Sequence, residues 1–546
     1  MERFIYIIGI LLLLISAAIV TAQQTEQEKG KKEEKRPEKT KLNLPDVVIY
    51  GQEKVIREAG TKLRANEEKP NLLNLDVDYQ SSIMKSAPSE DKLLMSSSEP
   101  ELGSATSVKA QFGNFNTPLL RVIHAQEFTK IDYNITARYH QSDGQYRNSQ
   151  FSIANGRAHL GWNIRENFNV MMDANYFYKD YGLHGSAISE LTRQVSYANG
   201  EFASHWDVSE NSTAAIHLHF ANFELIQENS NNLQNLNEST MQVMAEYNQT
   251  IRKMQLSLGT KFWHNQSTNF SRDFDYFAFG SALTYPLRHD LSINPALTVE
   301  RVSDYESRVS PGLEIVFTPI PELGISAKAN RYLEPYLTID YWQHNQYLNV
   351  SEKQPVADIA LNLEMNLEYQ IIPNMSFRTG ISHKFISDYY YWQRDSLTSL
   401  FNVNQFDDVS LTKVMIGLEY DISDFATFSS YFNYYDDSID DNINTSFQKE
   451  IPYLAKYQIP VQIKFKFSRT ANLSLQSLWV GPRRNSLYTD SELDSYLLAS
   501  ARFEKKMFHY FSFYVGGDNL LDDEYLMWEN YPHPGLQFYF GIKAKW

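Results

Sequence analysis

The chain of 546 residues contains no cysteine. This absence excludes disulfide-stapled folds, thiolate metal sites, cysteine nucleophiles and lipid attachment through cysteine. Basic residues are fewer than acidic ones, 50 against 66, and the net charge of −16 argues against nucleic acid as a partner. After the N-terminus there is no apolar run of about 18 residues, which excludes a bundle of transmembrane helices.

Aromatic side chains, by contrast, are abundant: 35 Tyr, 32 Phe and 8 Trp. Only four of them precede residue 106. Many aromatics in a polar background suit a sheet with one apolar face and one wet face. The change in composition therefore predicts a domain boundary, with a folded β domain at 106–546.

The residues before this boundary predict three segments without a core. Residues 1–22 have the pattern of a secretory signal peptide, an apolar run behind Arg3 that ends in small residues at Ala22; the alternative is an uncleaved anchor helix, for which the run is short. In 23–41, 12 of 19 residues are charged, which predicts a disordered tether. The segment 42–105 is poor in core material. Its one β-like stretch consists of Asp46, Val47, Val48, Ile49 and Tyr50.

Downstream of the boundary, apolar and polar residues alternate with period two. From Ile359 to Tyr369 every odd position is apolar, and at the C-terminus Phe538 and Phe540 begin an apolar series that alternates with Lys543 and Lys545. Lysines at consecutive inward positions are costly in a dry core, whereas a face that lines a watery lumen tolerates them.

The connections between strands differ in length in a regular way. Tight turns are predicted near 165–167, 252–253, 319–322, 373–374, 423–424 and 469–471, and longer polar links near 179–190, 226–238, 335–355, 388–407, 436–451 and 519–533. Ten short turns and eleven longer links in all imply 22 strands that start and end on the short-turn side. The predicted fold is all-β, an antiparallel outer-membrane barrel with periplasmic termini and a largely disordered N-terminal segment. A soluble β-helix or propeller is the alternative, but no fixed repeat period is present.

The end of the chain resembles a known family. The motif residues are Asp518, Asn519, Leu520, Asp522, Tyr525, Tyr531, Pro532, Pro534, Gly535 and the terminal Trp546. Together they look like the "N-L-F-D…Y", "Y-P-x-P-G-R" and terminal aromatic of TonB-dependent receptors. Two further strands, 362–369 and 415–420, resemble recurrent strands of the same barrel. The motifs of the resemblance cover about 320–546. Over 106–320 only the succession of strands and connections is similar.

This resemblance implies a 22-stranded barrel that binds or transports a scarce small ligand, with the TonB energy-coupling complex, outer-membrane lipids and the barrel-assembly machinery as partners. The family's plug domain is longer than 42–105 and carries motifs that this segment lacks. Asp46–Tyr50 is similar to a coupling box; the plainer interpretation is a short stretch that pairs with another element. Since a barrel of this width is too wide for its own side chains to fill, the lumen requires the N-terminal segment, inward-folded loops or a separate plug or partner protein.

No catalytic or cofactor motif is present, so we expect neither an enzyme nor a cofactor. His217 and His219 share one strand face at a spacing that suits metal ligation, but no third ligand is evident and ordinary lumen polarity is the preferred interpretation. Asp436, Asp437, Asp440 and Asp441 indicate a solvated external loop, with calcium binding as the alternative. Arg483–Arg484 indicates a charged loop rim, with contact to anionic lipopolysaccharide or ligand as the alternative. The predicted function is therefore ligand binding or transport across the outer membrane. The alternatives are a plugless anchoring or assembly barrel and a porin-like passive channel.

Overall fold

The computed structural model describes residues 105–546, except 230–231, 269–272, 304, 350–355 and 440–449. Within these residues no helix has the length and hydropathy needed to cross a membrane. The single helix there, α1, is short (Thr338–His344). The strands are β1 Ala105–Gly113, β2 Leu119–Glu127, β3 Ile131–Ser142, β4 Phe151–Arg165, β5 Phe168–Gly182, β6 Thr192–Ser209, β7 Ser212–Asn229, β8 Asn232–Ile251, β9 Met254–Thr268, β10 Phe274–Arg288, β11 Leu291–Val302, β12 Arg308–Ile320, β13 Leu323–Pro335, β14 Val356–Ile372, β15 Met375–Arg394, β16 Phe401–Ser423, β17 Ala426–Ile439, β18 Tyr457–Ser468, β19 Ala471–Val480, β20 Arg483–Arg484, β21 Glu492–Leu493, β22 Tyr496–Lys506, β23 Phe511–Asp518, β24 Leu526–Trp528, β25 Tyr531–Pro532 and β26 Gln537–Lys545.

Twenty-two of these strands form one antiparallel sheet, and β20–β21 and β24–β25 are two small hairpins within long links. The sheet closes because β26 pairs both with β23 and with β1, in the register Ser107↔Lys545 to Gly113↔Tyr539. Closure leaves no unpaired strand edge, which a sheet inside a bilayer requires. The predicted fold class and strand number are confirmed.

The two faces of the sheet differ as the alternation predicts. Phe538, Phe540 and Ile542 project outward and are highly exposed, as are Phe511 and Phe513 on the neighbouring strand β23. The lysines of β26 occupy the intervening inward positions. A barrel with apolar side chains around its outside and polar ones inside matches a lipid exterior and a wet lumen.

One strand departs from the predicted alternation. In β14 the register shifts between Ile359 and Leu361, so that Ala360 is an extra residue opposite β15. A single bulged residue reverses the facing of all residues beyond it. Consequently Leu363 and Met365 are exposed on the outside, whereas Ile359 is buried within the barrel mouth, and the prediction of one continuous apolar face from 359 to 369 is wrong.

The connections are short at one end of the barrel and mostly long at the other, with both termini of the sheet at the short-turn end. The predicted turns near 165–167, 252–253 and 373–374 lie between strands as expected. The predicted long link near 226–238 is wrong, since β7 and β8 continue to Asn229 and from Asn232 and pair up to their tips. Polar strands that extend beyond the apolar belt resemble loops in sequence.

Candidate functional site at the long-loop end of the barrel

The link between β13 and β14 folds into the barrel instead of away from it. Its helix α1 begins where the carboxylate of Asp340 accepts a hydrogen bond from the Leu337 N–H at 2.8 Å, and this acidic side chain in the first turn suits the helix dipole. Thr338, Ile339, Tyr341 and Trp342 of this single short helix are all buried. A helix with so many buried side chains is surrounded by protein, so α1 lies within the mouth of the barrel.

The helix bridges opposite walls. The Trp342 ring packs on Phe177 of β5, at 5.6 Å between centroids, and its indole N–H donates to the Tyr181 hydroxyl at 2.9 Å. Tyr341 contacts Tyr390 of β15 edge-to-face at 4.8 Å. In a ring of 22 strands, β5 and β15 are ten positions apart, and eleven would be diametrically opposite. The link therefore spans the lumen.

A buried arginine holds the end of this link against the wall. Arg193 of β6 is 0% exposed and donates to the backbone oxygens of Gln346, at 2.7 Å, and of Leu348. The side-chain oxygen of Gln227 on β7 accepts two further bonds from the same guanidinium, at 2.9 and 2.6 Å. A buried cation is costly unless its donors are satisfied, and these bonds satisfy it only while the link is in place.

Two more charged groups of the inner wall bind the link. The Glu238 carboxylate on β8 accepts the Thr338 N–H at 2.9 Å, and its other oxygen accepts from Asn265 at 3.0 Å. The Lys179 ammonium donates to the Gln346 side chain at 2.7 Å. Charged partners make stronger hydrogen bonds than neutral ones. The link is thus attached to β5, β6 and β8 through three charged residues.

Other long links complete a continuous aromatic cap over the mouth. Tyr531, in the last long link, stacks on Tyr347 with the ring centroids 3.6 Å apart, and Arg394 at the end of β15 pairs with Glu529 at 2.9 Å. Phe401 of β16 packs edge-to-face on Trp528 at 5.0 Å. The four aromatic residues Tyr347, Phe401, Trp528 and Tyr531 belong to one buried apolar cluster with α1. We call the described residues of this cluster and of α1 the mouth cap.

The two arginines expected on an exposed rim are buried, so that prediction is wrong. Arg484 pairs with Glu450 at 3.2 Å and with Asp490 at 3.1 Å, and Arg483 donates to the backbone oxygen of Leu526 at 2.7 Å. Both side chains tie one long link to another. They stabilise the cap by joining its links, and because they are buried they have little access to an external anion.

A neutral imidazole lies beneath the last long link. His533 is buried and stacks on Tyr525 at 5.0 Å, with His184 nearby. Burial, and then the charges of His184, Arg483 and Lys179, lower the pKa of His533 to about 3. Burial also lowers the pKa of His184. The folded cap therefore contains His533 in its uncharged form at neutral pH.

The C-terminal motif builds this last link. Asn519 has a positive φ of 47°, and its side chain bonds to the backbone of Asp523 and Pro534. Asp522 accepts the Leu536 N–H at 2.8 Å, and a Cβ on Gly535 would lie 2.4 Å from that carboxylate, so a side chain at this position would displace the carboxylate from its hydrogen bond. Tyr531 then enters the cap. Of the remaining motif residues, Asp518 ends β23, Leu520 and Trp546 are exposed, Tyr525 stacks on His533, and Pro532 and Pro534 present backbone oxygens as acceptors.

The histidine pair of β7 lies apart from the cap. His217 and His219 share a face opposite the exposed Ile216 and Phe220, and the Glu201 carboxylate lies 3.5 Å from His217. No group of three potential ligands suited to a metal occurs among the described residues. The β-like stretch Asp46–Tyr50 lies outside the described residues, as do Asp440 and Asp441. Asp436 and Asp437 lie in β17 and not in a loop, so that prediction is wrong; Asp437 accepts the Ile451 N–H.

The sequence patterns did not identify the cap, although one signal was present. The link 335–355 is one of the predicted polar links, yet it contains Tyr336, Tyr341, Trp342 and Tyr347 within twelve residues. Aromatics at such density in a connection indicate burial. Arg193 and Glu238 carried no comparable signal, because each is one polar residue among many on an inward face.

No protein-family profile matches the chain, and no curated protein matches it in sequence. Solved structures do match the fold. The ferric-catecholate import receptor Fiu from E. coli K12 aligns with a TM-score of 0.65 at 9% identity, covering 81% of this chain and 82% of that one. The FrpB iron transporter from Neisseria meningitidis gives 0.66 at 9% identity, covering 81% of each chain. The copper transporter OprC gives 0.64 at 12% identity, covering 81% and 80%.

At these identities the likeness concerns the fold. All three of these solved structures are named as receptors or transporters. The architecture that the C-terminal motif implies is confirmed: the chain is a closed 22-stranded barrel similar to those of a ferric-catecholate import receptor, an iron transporter and a copper transporter.

Proposed function

We propose that the protein is an outer-membrane receptor-type transporter in which the mouth cap closes the long-loop end of the barrel. The observation that carries this proposal is the bridge formed by α1 between β5 and β15. A passive channel has no use for a buried aromatic cap over its mouth, whereas a receptor that admits its ligand only on demand requires such a closure. The transport role is supported by the likeness to import receptors and a copper transporter.

The placement of the chain follows the same proposal. Residues 1–22 would direct export, 23–41 would be the tether, and both termini would be periplasmic because short turns mark that side in outer-membrane barrels. Segment 42–105 would either contact the energy-coupling complex through Asp46–Tyr50 or leave the lumen to a separate partner. The ligand would be a small molecule that binds at the cap and passes along the inner wall. His217 and His219 would be ordinary lumen side chains.

Conductance in a planar bilayer tests the closure. We expect the mature protein to pass little current, and a variant in which residues 338–346 are replaced by a Gly-Ser linker to conduct. Arg193→Gln is a milder change that should produce brief openings. It tests the same closure if the linker variant does not fold. The exposed pair Arg147–Glu190 provides the control Arg147→Gln, which should behave like the mature protein. A large, steady current from the mature protein would identify a passive channel, and equal silence of all variants would remove the cap as the closure.

A further inference from the structure

Two imidazoles lie where four connections meet in the mouth cap. His184, in the link between β5 and β6, stacks on Tyr146 of the link between β3 and β4, with the ring centroids 5.6 Å apart. It also packs edge-to-face on Tyr531 of the last long link at 5.6 Å and on Tyr347 of the link between β13 and β14 at 6.2 Å. The ring of His184 therefore joins its own link to three others.

The second imidazole lies in the last long link, to which His184 is also bonded. Since a carbonyl oxygen only accepts, the Nε2–H of His184 donates to the backbone oxygen of Pro532 at 3.0 Å. The next residue, His533, is buried and stacks on Tyr525 at 5.0 Å. Its backbone oxygen accepts the hydroxyl hydrogen of Tyr146 at 3.1 Å. We call His184 and His533 the imidazole pair.

The charges around the imidazole pair favour neutral rings. His533 is acted on by the positive charges of Arg483 and Lys179 and by that of His184 when this ring is protonated. Further charged groups act on the surrounding tyrosines, two cations on Tyr531 and two carboxylates on Tyr146: Arg193, Arg394, Asp522 and Glu524. The four tyrosines packed on the pair stay uncharged in neutral and acidic solution. A proton on the pair would therefore place a charge in a buried site beside two cations, which is unfavourable.

We propose that the imidazole pair is an acid-sensitive latch, which holds the last long link to the link between β5 and β6 at neutral pH and releases it in acid. The inference concerns the regulation of the proposed closure and rests on it. In the closed cap burial, and then the neighbouring charges, lower the pKa of His533 to about 3, whereas a released link returns the ring to its ordinary pKa of 6.5. Between these values only the open state binds the proton, so each pH unit below 6.5 favours opening by about tenfold. Burial also lowers the pKa of His184, which adds to the effect.

Release of the last long link can be measured through a cysteine introduced by Met527→Cys, since Met527 is a buried residue of this link. The Met527→Cys protein and its His533→Gln derivative are labelled with dithiodipyridine, a reagent that reacts with thiols in acid, at about pH 7.5 and about pH 5. The ratio of the two labelling rates at one pH cancels the reagent's own dependence on pH. This ratio should rise by at least about thirtyfold between the two pH values, because about pH 5 lies about 1.5 units below 6.5 and labelling follows the open population. An unchanged ratio would overturn the latch.

The matched control, His289→Gln/His509→Gln, removes two exposed imidazoles from short turns and should keep the acid response of the Met527→Cys protein. Loss of the response in this control as well would contradict the assignment to the imidazole pair. If His533→Gln does not fold, His184→Gln takes its place and should weaken the acid response in the same direction; an unaltered response would refute the latch. Labelling needs no current through the barrel, so the two proposals can fail separately. Acid-dependent labelling together with a large, steady current at neutral pH would remove the proposed closure and leave the acid-sensitive pair.

Discussion

Replacing Arg193 with glutamine should release the link that closes the mouth. The guanidinium makes two hydrogen bonds to backbone oxygens of this link, those of Gln346 and Leu348, and both are lost in the variant. A bond to a charged group contributes about 1.5–3 kcal/mol, so the closed arrangement loses about 3–6 kcal/mol. Each 1.4 kcal/mol is about a factor of ten, and the ratio of open to closed molecules should therefore rise by about a hundredfold to ten-thousandfold.

The absence of cysteine from the chain makes this measurable. A single cysteine introduced by Thr338→Cys is buried in α1 and reacts with a maleimide only when the link opens. Its labelling rate should rise at least about a hundredfold when Arg193→Gln is added, because the rate follows the open population when reclosing is fast.

The control for this experiment is Arg147→Gln in the same cysteine background. That arginine pairs with Glu190 at 3.2 Å, but both side chains are largely exposed, so the pair contributes about 0–1 kcal/mol. Labelling should change by less than about fivefold. An unchanged labelling rate in the Arg193→Gln protein would refute the reasoning, since it would mean that the bonds to Gln346 and Leu348 do not hold the link.

Three further outcomes follow from the fold and the sequence. The pKa of His533 is lowered to about 3 from an ordinary value of 6.5, so the contribution of the neutral ring to stability is complete above pH 6.5 and is lost as the pH falls. By about pH 5 the loss is about 2 kcal/mol, which should appear as a drop in unfolding temperature. His533→Gln should abolish this drop, whereas His289→Gln, in an exposed turn, should not. Deleting Ala360 should leave Ile359 opposite Ile386 and Leu361 opposite Phe385 as consecutive residues that face opposite ways, so Ile359 should stay in the cap and the unfolding temperature should change little; a marked drop would mean that the bulge itself supports the cap. If Asp46–Tyr50 is a coupling strand, Val48→Pro should abolish energised uptake by removing a backbone donor, and normal uptake would rule out that role.

The barrel itself could be predicted from the sequence because its physics is repetitive. Each spanning strand needs outward apolar and inward polar residues, and each end needs turns, so errors at single positions do not change the count of 22. The failures occur where one residue breaks the repetition. Ala360 reverses the facing of Ile359 without altering the apolar pattern itself, and no local signal marks the extra residue as a bulge.

The candidate site could not be predicted from the sequence, for a different reason. Arg193, Gln346 and Trp342 come together only because a link from one wall reaches the opposite wall, and no periodicity encodes that contact. Arg483 and Arg484 illustrate the same limit: a double arginine after Gly481 and Pro482 resembles a solvated rim until its partners Glu450 and Asp490 are known.

The seam between β1 and β26 also constrains how the barrel folds. Asn114 and Leu536, hydrogen-bonded across this seam at 2.9 Å, are 422 residues apart. Bringing such distant segments together costs about 5 kcal/mol of chain entropy, and no seam contact offsets that cost until the final strand has been made. The seam therefore closes only when the final strand is present, and any sheet that forms before closure has two bare edges. Before closure each bare edge can pair with a second copy of the chain, so the unclosed sheet needs protection by another protein to avoid aggregation.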